Sequence, residues 1–371
     1  MIQLLNIIGA RPQIIKAAAI SRAVRGRFSG VVEEKILHTG QHYDPAMSDI
    51  FFNELEIPNP DYNLGVGSLP HGEQTARMIA GIEKVLASER FDGVILYGDT
   101  NSTLAGAVAA SKMGIPVFHV EAGLRSFNMA MPEEINRIVC DHLSSILFAP
   151  TRAAVDNLRA EGLTDSPAKF GDDKGRKVVK AGDVMYDNAL YFSEIAEKKS
   201  RILEEVGVKP GEYALSTVHR DFNTDSPERL EAIFKALSYI AENKSVPVVM
   251  PLHPRTRKHL PPGLSSNIHV IPPASFFDIL NLEKNAKLVI TDSGGVQKEA
   301  FFFSKPCIIL RPETEWVEIV ENGAGILADA DYQRIIEAYG RLAGTQVVFP
   351  PLYGNGDSSE RILSEIVVYL G

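Results

Sequence analysis

Short apolar runs alternate with longer amphipathic stretches from one end of the 371-residue chain to the other. The short runs are rich in Val, Ile and Leu and are bounded by turn residues, which predicts strands, and the longer stretches predict helices. The predicted strands are residues 2–8, 31–38, 93–97, 117–120, 146–149, 178–181, 213–217, 246–250, 268–271, 288–291, 307–310 and 325–327. Strands this apolar, alternating with helices, indicate an α/β protein with parallel sheets that helices cover on both faces.

Twelve strands exceed one compact doubly wound sheet, so we predict two Rossmann-like domains. The polar, Gly- and Lys-rich stretch 165–177 is the best connection between them. This gives an N-terminal domain at 1–170 and a C-terminal domain at 171–356. From the pattern alone, the last predicted helix, within 357–371, could pack on either domain.

Six polar clusters lie just beyond the ends of predicted strands, in both halves of the chain. They are Gly9-Ala10-Arg11, Gly98-Asp99-Thr100, Glu121-Ala122-Gly123, His219-Arg220, His253-Pro254-Arg255 and Asp292-Ser293-Gly294-Gly295. Open α/β sheets bind ligands just beyond the carboxyl ends of their strands. We therefore expect two sheets that face each other across one cleft, with these clusters lining it.

The cluster at 292–295 favours binding of an anion. Ser293, Gly294 and Gly295 form a strand-to-helix turn, where glycines allow close approach and the helix start offers unpaired N–H groups. Arg311, at the end of the next predicted strand, could clamp the same anion. An ordinary turn with a capping serine is the alternative reading of this stretch.

Arg11 and Lys16 sit on the first predicted helix, which Pro12 opens. Both side chains could reach an anion at the helix start. They could equally be ordinary surface cations.

Three acids and one histidine are candidates for proton transfer. Glu121 interrupts an apolar strand end, where a carboxylate needs a partner or a task. Asp99 could be a helix cap, and Glu133 could simply complement a helix dipole and pair with Arg137 four residues later. His219 closes a predicted strand. If the four meet in one cleft, acids with separated pKa values could take and give a proton.

The totals exclude several classes of protein. A net charge of −9 argues against a nucleic-acid binder. Cys140 and Cys307 both lie among apolar residues and predict buried free thiols. No run approaches the ~20 apolar residues of a membrane span, and no secretory signal opens the chain. We expect a cytoplasmic protein with no nucleic-acid or membrane partner.

Cofactor motifs are also missing from the sequence. There is no dinucleotide fingerprint, no P-loop and no clustered Cys/His set, so we predict no NAD, ATP or zinc site. His38, His42, Asp44 and Asp49 fit no metal-ligand spacing. We predict neither a metal nor an organic cofactor.

Eight ordered motifs resemble the non-hydrolysing UDP-N-acetylglucosamine 2-epimerases nearly end to end. They are GARPQIIK (9–16), TGQHYD (39–44), GDTNST (98–103), HVEAGLRS (119–126), MPEEINR (131–137), VHR (218–220), HPR (253–255) and DSGGVQKEA (292–300). The resemblance implies a glycosyltransferase-B-like fold, a UDP-sugar substrate and a homodimer. It also implies that the last helix returns to the N-terminal domain.

The resemblance further implies a reaction and its residues. The reaction is anti elimination of UDP to a 2-acetamidoglucal, followed by re-addition with C2 protonated from the other face, which converts UDP-N-acetylglucosamine to UDP-N-acetylmannosamine. The residues that match catalytic positions are Asp99, Glu121, Glu133 and His219. Those that match UDP-sugar-binding positions are Arg11, Lys16, Arg137, Arg220, Ser293, Gly294, Gly295, Glu299 and Arg311.

Two stretches depart from the family pattern. Where HRxEN is common, residues 219–223 read HRDFN, and where RxxTERPE is common, residues 311–318 read RPETEWVE. The TEWVE form is similar to members acting on C3-acetamido sugars such as UDP-2,3-diacetamido-2,3-dideoxy-glucuronic acid. The alternatives are therefore the same reaction on such a uronic acid, a hydrolysing 2-epimerase, a glycosyltransferase of this fold, and a non-catalytic binder.

Overall fold

The computed structural model describes residues 1–41, 57–166, 175–252, 260–261 and 263–371. They form two compact units, residues 1–188 with 351–371, and residues 189–350. The strands are β1 (Ile2–Ile8), β2 (Val32–His38), β3 (Tyr62–Asn63), β4 (Gly93–Tyr97), β5 (Val117–Val120), β6 (Ile146–Ala149), β7 (Lys177–Lys180), β8 (Ala214–Thr217), β9 (Val248–Pro251), β10 (Ile268–Ile271), β11 (Leu288–Thr291), β12 (Cys307–Ile309) and β13 (Gly325–Leu327).

The helices connect these strands. They are α1 (Arg11–Arg25), α2 (His71–Ser88), α3 (Asn101–Lys112), α4 (Pro132–Leu143), α5 (Arg152–Ala160), α6 (Val184–Lys199), α7 (Ile202–Val206), α8 (Asp221–Thr224), α9 (Pro227–Asn243), α10 (Phe276–Asn285), α11 (Gly294–Phe302), α12 (Val317–Glu321), α13 (Tyr332–Ala343) and α14 (Ser358–Leu370).

Each unit is built on one parallel sheet. The strand order is β3-β2-β1-β4-β5-β6-β7 in the first unit and β10-β9-β8-β11-β12-β13 in the second. The strand order reverses between β1 and β4 in the first sheet, and between β8 and β11 in the second. Such a reversal opens a crevice beyond the carboxyl ends of the two strands. The polar clusters after β1, β4, β8 and β11 therefore lie at the two places best suited to a ligand.

Burial explains why these segments became strands. The central strand β4 is buried along its whole length, and the last five residues of β1 are buried as well. Both faces of the sheet are covered, so the alternation typical of half-exposed strands is absent, as predicted. All twelve predicted strands are present, with ends shifted by two residues at most. The two-residue strand β3 was not predicted, because so short a segment carries no periodic signal.

The predicted domain boundary at 170/171 lies before the division between the two compact units. The units divide between Asn188 and Ala189. The reason is that β7 pairs in parallel with β6, from Ile146 beside Lys177 to Ala149 beside Lys180, and so completes the first sheet. The predicted boundary itself falls in 167–174, outside the described residues. The second crossing lies between Pro350 and Pro351 rather than at 356/357.

The last helix, α14, belongs to the first unit and packs against α1. Its N-terminal N–H groups at Ser358 and Ser359 donate to the carboxylate of Asp187, at 3.1 and 2.7 Å. Arg27 forms an ion pair with Glu360 at 2.6 Å. A buried carboxylate at a helix start satisfies unpaired donors and complements the helix dipole.

Both cysteines are free and buried, as predicted. Burial raises the pKa of Cys307 well above its ordinary value, so it is an unreactive thiol. Within the described part of the chain, no helix has the length and apolar character needed to cross a membrane.

Candidate functional site

Glu121 occupies a strained turn directly after β5. Its φ is +72°, in the left-handed region that non-glycine residues rarely adopt. Its carboxylate meets the ammonium of Lys16, on α1, with Oε1 2.5 Å from Nζ. Both side chains are only 10% exposed. Backbone strain of this kind, which costs about 1–3 kcal/mol, clusters at functional sites.

Asp99 lies near the same cation, in the turn after β4. Its carboxyl forms a close ion pair with Arg137 of α4 and is 29% exposed. Burial raises the pKa of Asp99 above its ordinary value, although the charges of Arg137 and Lys16 act in the opposite direction. The charge of Glu121 adds to the increase. The two acids thus differ in environment: Glu121 faces an ammonium at contact distance, and Asp99 favours its protonated form more than a solvated carboxyl does.

The structure gives the predicted binding residues Lys16 and Arg137 protein partners. Lys16 pairs with Glu121, and Arg137 holds both Asp99 and Glu134, the latter at 2.9 Å. Arg137 is only 6% exposed. Both cations therefore hold acids in place, whatever else they bind.

Glu133 and Glu134 have opposite surroundings. Glu133 is exposed, and its carboxylate forms no hydrogen bond or ion pair with any residue in the described ranges. Glu134 is 1% exposed and accepts from the backbone N–H groups of Ser126 and Phe127, at 3.0 and 2.9 Å. The alternative in which Glu133 pairs with Arg137 is wrong, because Glu134 takes that place.

Asp99 is not the cap of α3, so that alternative reading is wrong too. Thr100 is the cap, and its hydroxyl accepts from the N–H of Thr103. The carbonyl of Asp99 accepts from the amide of Asn136, at 2.9 Å. The Asp99 carboxyl is therefore not engaged in capping.

A buried charged network lies under both acid-bearing turns. His119 is fully buried, with Nδ1 2.7 Å from Asp141 and Nε2 2.7 Å from the carbonyl of Gly98. Asp141 also accepts from the N–H of Gly123, at 3.1 Å, and pairs with Arg125 at 2.8 Å. Since both ring nitrogens face acceptors, both carry protons. Burial opposes that charge, yet Cys140 and Asp141 raise the pKa of His119 well above its ordinary value.

In the second unit, a carboxylate orients His219. Asp292 is fully buried and accepts from the backbone N–H groups of His219 and Arg220 and from Asn223. Its Oδ1 lies 3.3 Å from Nδ1 of His219, whose side chain is 54% exposed. The carboxylate favours a proton on Nδ1 and leaves Nε2 for a ligand.

The start of α11 carries the predicted anion-binding turn. Ser293 caps the helix, and its hydroxyl accepts from the N–H of Val296. Gly295 is exposed. Gly294 is close to Glu315: a Cβ added there would lie 2.4 Å from Oε1 of that carboxylate. A side chain at this position would have to displace the end of the Glu315 side chain.

Arg311 is 6% exposed and pairs with the same Glu315, with Nη1 2.9 Å from Oε2. A carboxylate thus stands between Arg311 and the helix start, where the sequence predicts a phosphate. The same loop packs on α11 elsewhere, since Nζ of Lys298 lies 4.0 Å from the ring centroid of Trp316.

The other predicted residues lie on these same edges. Arg11, at the start of α1, and Arg220, after β8, are exposed, and Glu299 is half-buried on α11. His253 and Arg255 lie outside the described residues, as do His42, Asp44 and Asp49. Within the described ranges, no group of three or more His, Cys, Asp or Glu could hold a metal ion.

The family model described as UDP-N-acetylglucosamine 2-epimerase matches residues 27–367 of the chain. This chain belongs to the UDP-N-acetylglucosamine 2-epimerase family. The predicted family and its enzyme class, an epimerase and hence an isomerase, are confirmed. The chain is 48% identical to the UDP-2,3-diacetamido-2,3-dideoxy-D-glucuronate 2-epimerase of Pseudomonas aeruginosa, over 97% of this chain and 98% of that one. It is 44% identical to the UDP-N-acetylglucosamine 2-epimerase of Methanocaldococcus jannaschii, over 96% of each chain.

A solved structure supports the same membership. The Methanocaldococcus jannaschii epimerase, crystallised in complex with UDP-GlcNAc and UDP, has a TM-score of 0.85 and 42% identity to this member of the family. The match covers 99% of this chain and 100% of that one. The predicted glycosyltransferase-B-like fold class is confirmed; the arrangement of the two units around a cleft stays a prediction.

Sequence reasoning missed the residues that support the acids, above all His119, Glu134 and Asp141. For two of them the sequence held a signal. Glu134, Arg137 and Asp141 stand at i, i+3 and i+7, so they share the face of α4 that also buries Cys140. Charged residues on the buried face of a helix need partners, and their presence there predicts a network.

Proposed function

We propose that this epimerase inverts C2 of a UDP-N-acetylhexosamine without hydrolysing it, converting UDP-N-acetylglucosamine to UDP-N-acetylmannosamine. The C2 proton is not acidic in the sugar itself. Its removal becomes feasible when the C1–O bond breaks at the same time. The electron pair of C2–H then forms the C1=C2 bond, and the pair of the C1–O bond leaves on the β-phosphate oxygen of UDP.

The return step restores the C1–O bond and forms the new C2–H bond on the opposite face of C2. UDP adds back to C1, and C2 takes a proton from the side opposite to the one that lost it. Two acids on different faces of the sugar are needed, one that takes a proton and one that gives it. No redox step occurs, so the reaction requires no electron-carrying cofactor.

The observation that carries the proposal is the contrast between Glu121 and Asp99. Glu121 is held in a strained turn against Lys16, which favours an ionised carboxylate. Asp99, beside Arg137, has a raised pKa. We assign Glu121 and Asp99 to proton transfer on opposite faces of C2. Glu133, which is exposed, is proposed to share that work.

UDP is proposed to bind the second unit. Its pyrophosphate meets the N–H groups of Gly294 and Gly295, the hydroxyl of Ser293 and the guanidinium of Arg311. Glu299 accepts from the ribose hydroxyls. Arg11 and Arg220 are exposed cations proposed to contact the phosphates.

His219 is proposed to stabilise the departing UDP. Since Asp292 lies on its Nδ1 side, Nε2 is the ring nitrogen proposed to contact the phosphate oxygen that gains charge.

The test is a reaction of UDP-N-acetylglucosamine in D₂O, followed by NMR. We expect UDP-N-acetylmannosamine, deuterium at C2 in both epimers, and no free amino sugar. Free UDP with a mannosamine-type sugar would instead identify a hydrolysing 2-epimerase. A requirement for an added acceptor sugar would identify a glycosyltransferase, and the absence of any C2 inversion would refute the proposal.

A second candidate substrate is UDP-2,3-diacetamido-2,3-dideoxy-D-glucuronate. It is supported by the 48% identity to the Pseudomonas aeruginosa enzyme named for that sugar and by the TEWVE sequence at 314–318. Comparing kcat/KM for this compound and for UDP-N-acetylglucosamine decides between them. A ratio above ten in either direction identifies the substrate that the site prefers.

We further infer a cytoplasmic homodimer, following the resemblance. Light scattering across a concentration series tests the oligomeric state, and a mass of one 40.6 kDa chain throughout would refute the dimer.

A further inference from the structure

Glu283, a buried carboxyl of the second unit, lies next to Glu299, the residue proposed to bind the ribose. Glu283 lies on α10 and is fully buried. Neither of its carboxyl oxygens has a donor from the protein within hydrogen-bonding distance in the described ranges. An ionised carboxylate left in this state would cost several kcal/mol of desolvation free energy. A charged Glu283 is therefore untenable there.

The group that faces Glu283 is another carboxyl, that of Glu299 on α11. Two ionised carboxylates can only accept, so they cannot bond to each other. One proton between them changes this, because the protonated carboxyl donates to the other. Burial, together with the charge of Glu299 and the bond to it, raises the pKa of Glu283 well above its ordinary value.

The proton belongs on Glu283 because of the difference in burial. Glu299 is half-buried and so keeps contact with solvent, whereas Glu283 has none. Tyr213, the residue directly before β8, also lies near Glu283, and its hydroxyl donates to the carbonyl of Leu282 at 2.5 Å. That hydroxyl is committed elsewhere, and no cation of the described ranges forms an ion pair with Glu283.

We propose that Glu283 is a positioning residue for nucleotide binding: in its neutral form it donates a hydrogen bond to Glu299 and fixes the carboxylate that receives the ribose hydroxyls. The inference rests on the proposed role of Glu299. A carboxylate has about four lone-pair sites, so one bond from Glu283 leaves enough for two hydroxyls. Fixing the rotamer in advance removes an ordering cost from binding.

The test compares UDP with 2′,3′-dideoxy-UDP by calorimetry on three variants. Glu283→Gln supplies an amide donor of the same length and should keep UDP affinity within twofold. Glu283→Leu has similar volume and no donor, and should weaken UDP binding about three- to tenfold, the worth of one hydrogen bond. The dideoxy compound should bind equally to both variants, since it lacks the hydroxyls. Glu204→Gln, an exposed change on α7, is the matched control.

Two outcomes overturn the inference. In one, Glu283→Leu binds UDP as the unchanged protein does. In the other, it loses UDP and the dideoxy compound to the same extent, which indicates a purely structural role. The role of Glu299 is tested separately, because Glu299→Ala should remove the preference for UDP over the dideoxy compound. If that preference persists, the proposed ribose contact fails rather than the Glu283 bond.

If Glu283→Leu does not fold, infrared spectroscopy of the unchanged protein and of Glu283→Gln tests whether Glu283 is protonated. The infrared spectrum of the folded protein should contain a protonated-carboxyl C=O band that is missing from Glu283→Gln. If no band differs between the two, Glu283 is ionised and the inference is wrong.

Discussion

Replacing Glu121 by Gln is the sharpest test of the proposed chemistry. The substitution keeps the size and one carbonyl acceptor of the side chain but removes the group that ionises. If Glu121 transfers the C2 proton, turnover should fall by about two to four orders of magnitude, as is typical for loss of a general acid or base. In activation free energy this is about 3–5 kcal/mol.

The structure also sets the cost in stability. Lys16 keeps a hydrogen bond to the new amide but loses its counter-charge at a site where both side chains are 10% exposed. We expect the free energy of unfolding to decrease by about 1–2 kcal/mol, the charged part of such a bond. The φ of +72° costs Gln as much as it costs Glu, so the strain does not change.

The assay separates these two effects. Turnover is measured by NMR, unfolding by denaturant titration, and UDP affinity by calorimetry. UDP affinity should stay within about twofold, because the proposed nucleotide contacts lie mainly in the second unit. Adding Lys16→Met to Glu121→Gln removes the unpaired ammonium and should recover stability without recovering turnover.

Near-normal turnover in Glu121→Gln would refute the catalytic assignment. An unfolded Glu121→Gln protein that folds again with Lys16→Met would mean that the carboxylate serves to neutralise a buried cation. If the two acids act on opposite faces, Glu121→Gln and Asp99→Asn should also differ in how much deuterium each places in the two epimers. Identical deuterium patterns would contradict the division of roles.

Four further substitutions have expected outcomes. Arg311→Ala should weaken UDP binding by about 1.5–3 kcal/mol in calorimetry. Glu315→Gln should tighten UDP binding, because it releases Arg311 from its ion pair and removes the negative charge beside Gly294. If UDP affinity is unchanged in both variants, Arg311 does not bind the UDP phosphates. His219→Asn should lower turnover about a hundredfold or more and change the free energy of unfolding by less than about 0.5 kcal/mol, since the ring is 54% exposed. Burial raises the pKa of Glu34, on β2, from 4.5 to about 7, so between pH 4.5 and 7 the folded state holds a proton that the unfolded state has lost. The free energy of unfolding should therefore fall by up to about 3 kcal/mol as pH rises from 4.5 to 7. Denaturation of Glu34→Gln at a series of pH values should lack this dependence.

The fold was predictable because its signal is local. A buried parallel strand must be apolar on both faces, so runs such as β4 and β11 stand out in the sequence alone. Glu121 was recognisable for the same reason, since a carboxylate at the end of such a run conflicts with its surroundings. The domain boundary was not predictable in this way, because β7 begins and ends with lysine and is short. Only its pairing with β6 shows which sheet it joins.

The partners of the acids depended on contacts between distant residues. Arg137 could pair with Glu133 or Glu134, both within one helical turn of it. The choice is set by the phase of α4, which buries Glu134, Arg137 and Cys140 on one face and exposes Glu133. His119 bonds to Asp141, twenty-two residues away, so the sequence around His119 shows only a polar residue within an apolar strand.

The buried ions explain how two acids come to be held near one cation. His119 donates from one nitrogen to the carbonyl of Gly98, next to Asp99, and from the other to Asp141, which also binds the N–H of Gly123. The turns after β4 and β5 are thus joined through a single imidazolium. Burying these charges adds little net stability, since desolvation offsets most of their attraction. Their effect is geometric: an apolar residue in place of His119 would pack as well but leave the two turns, and the carboxyls they carry, free to move relative to each other.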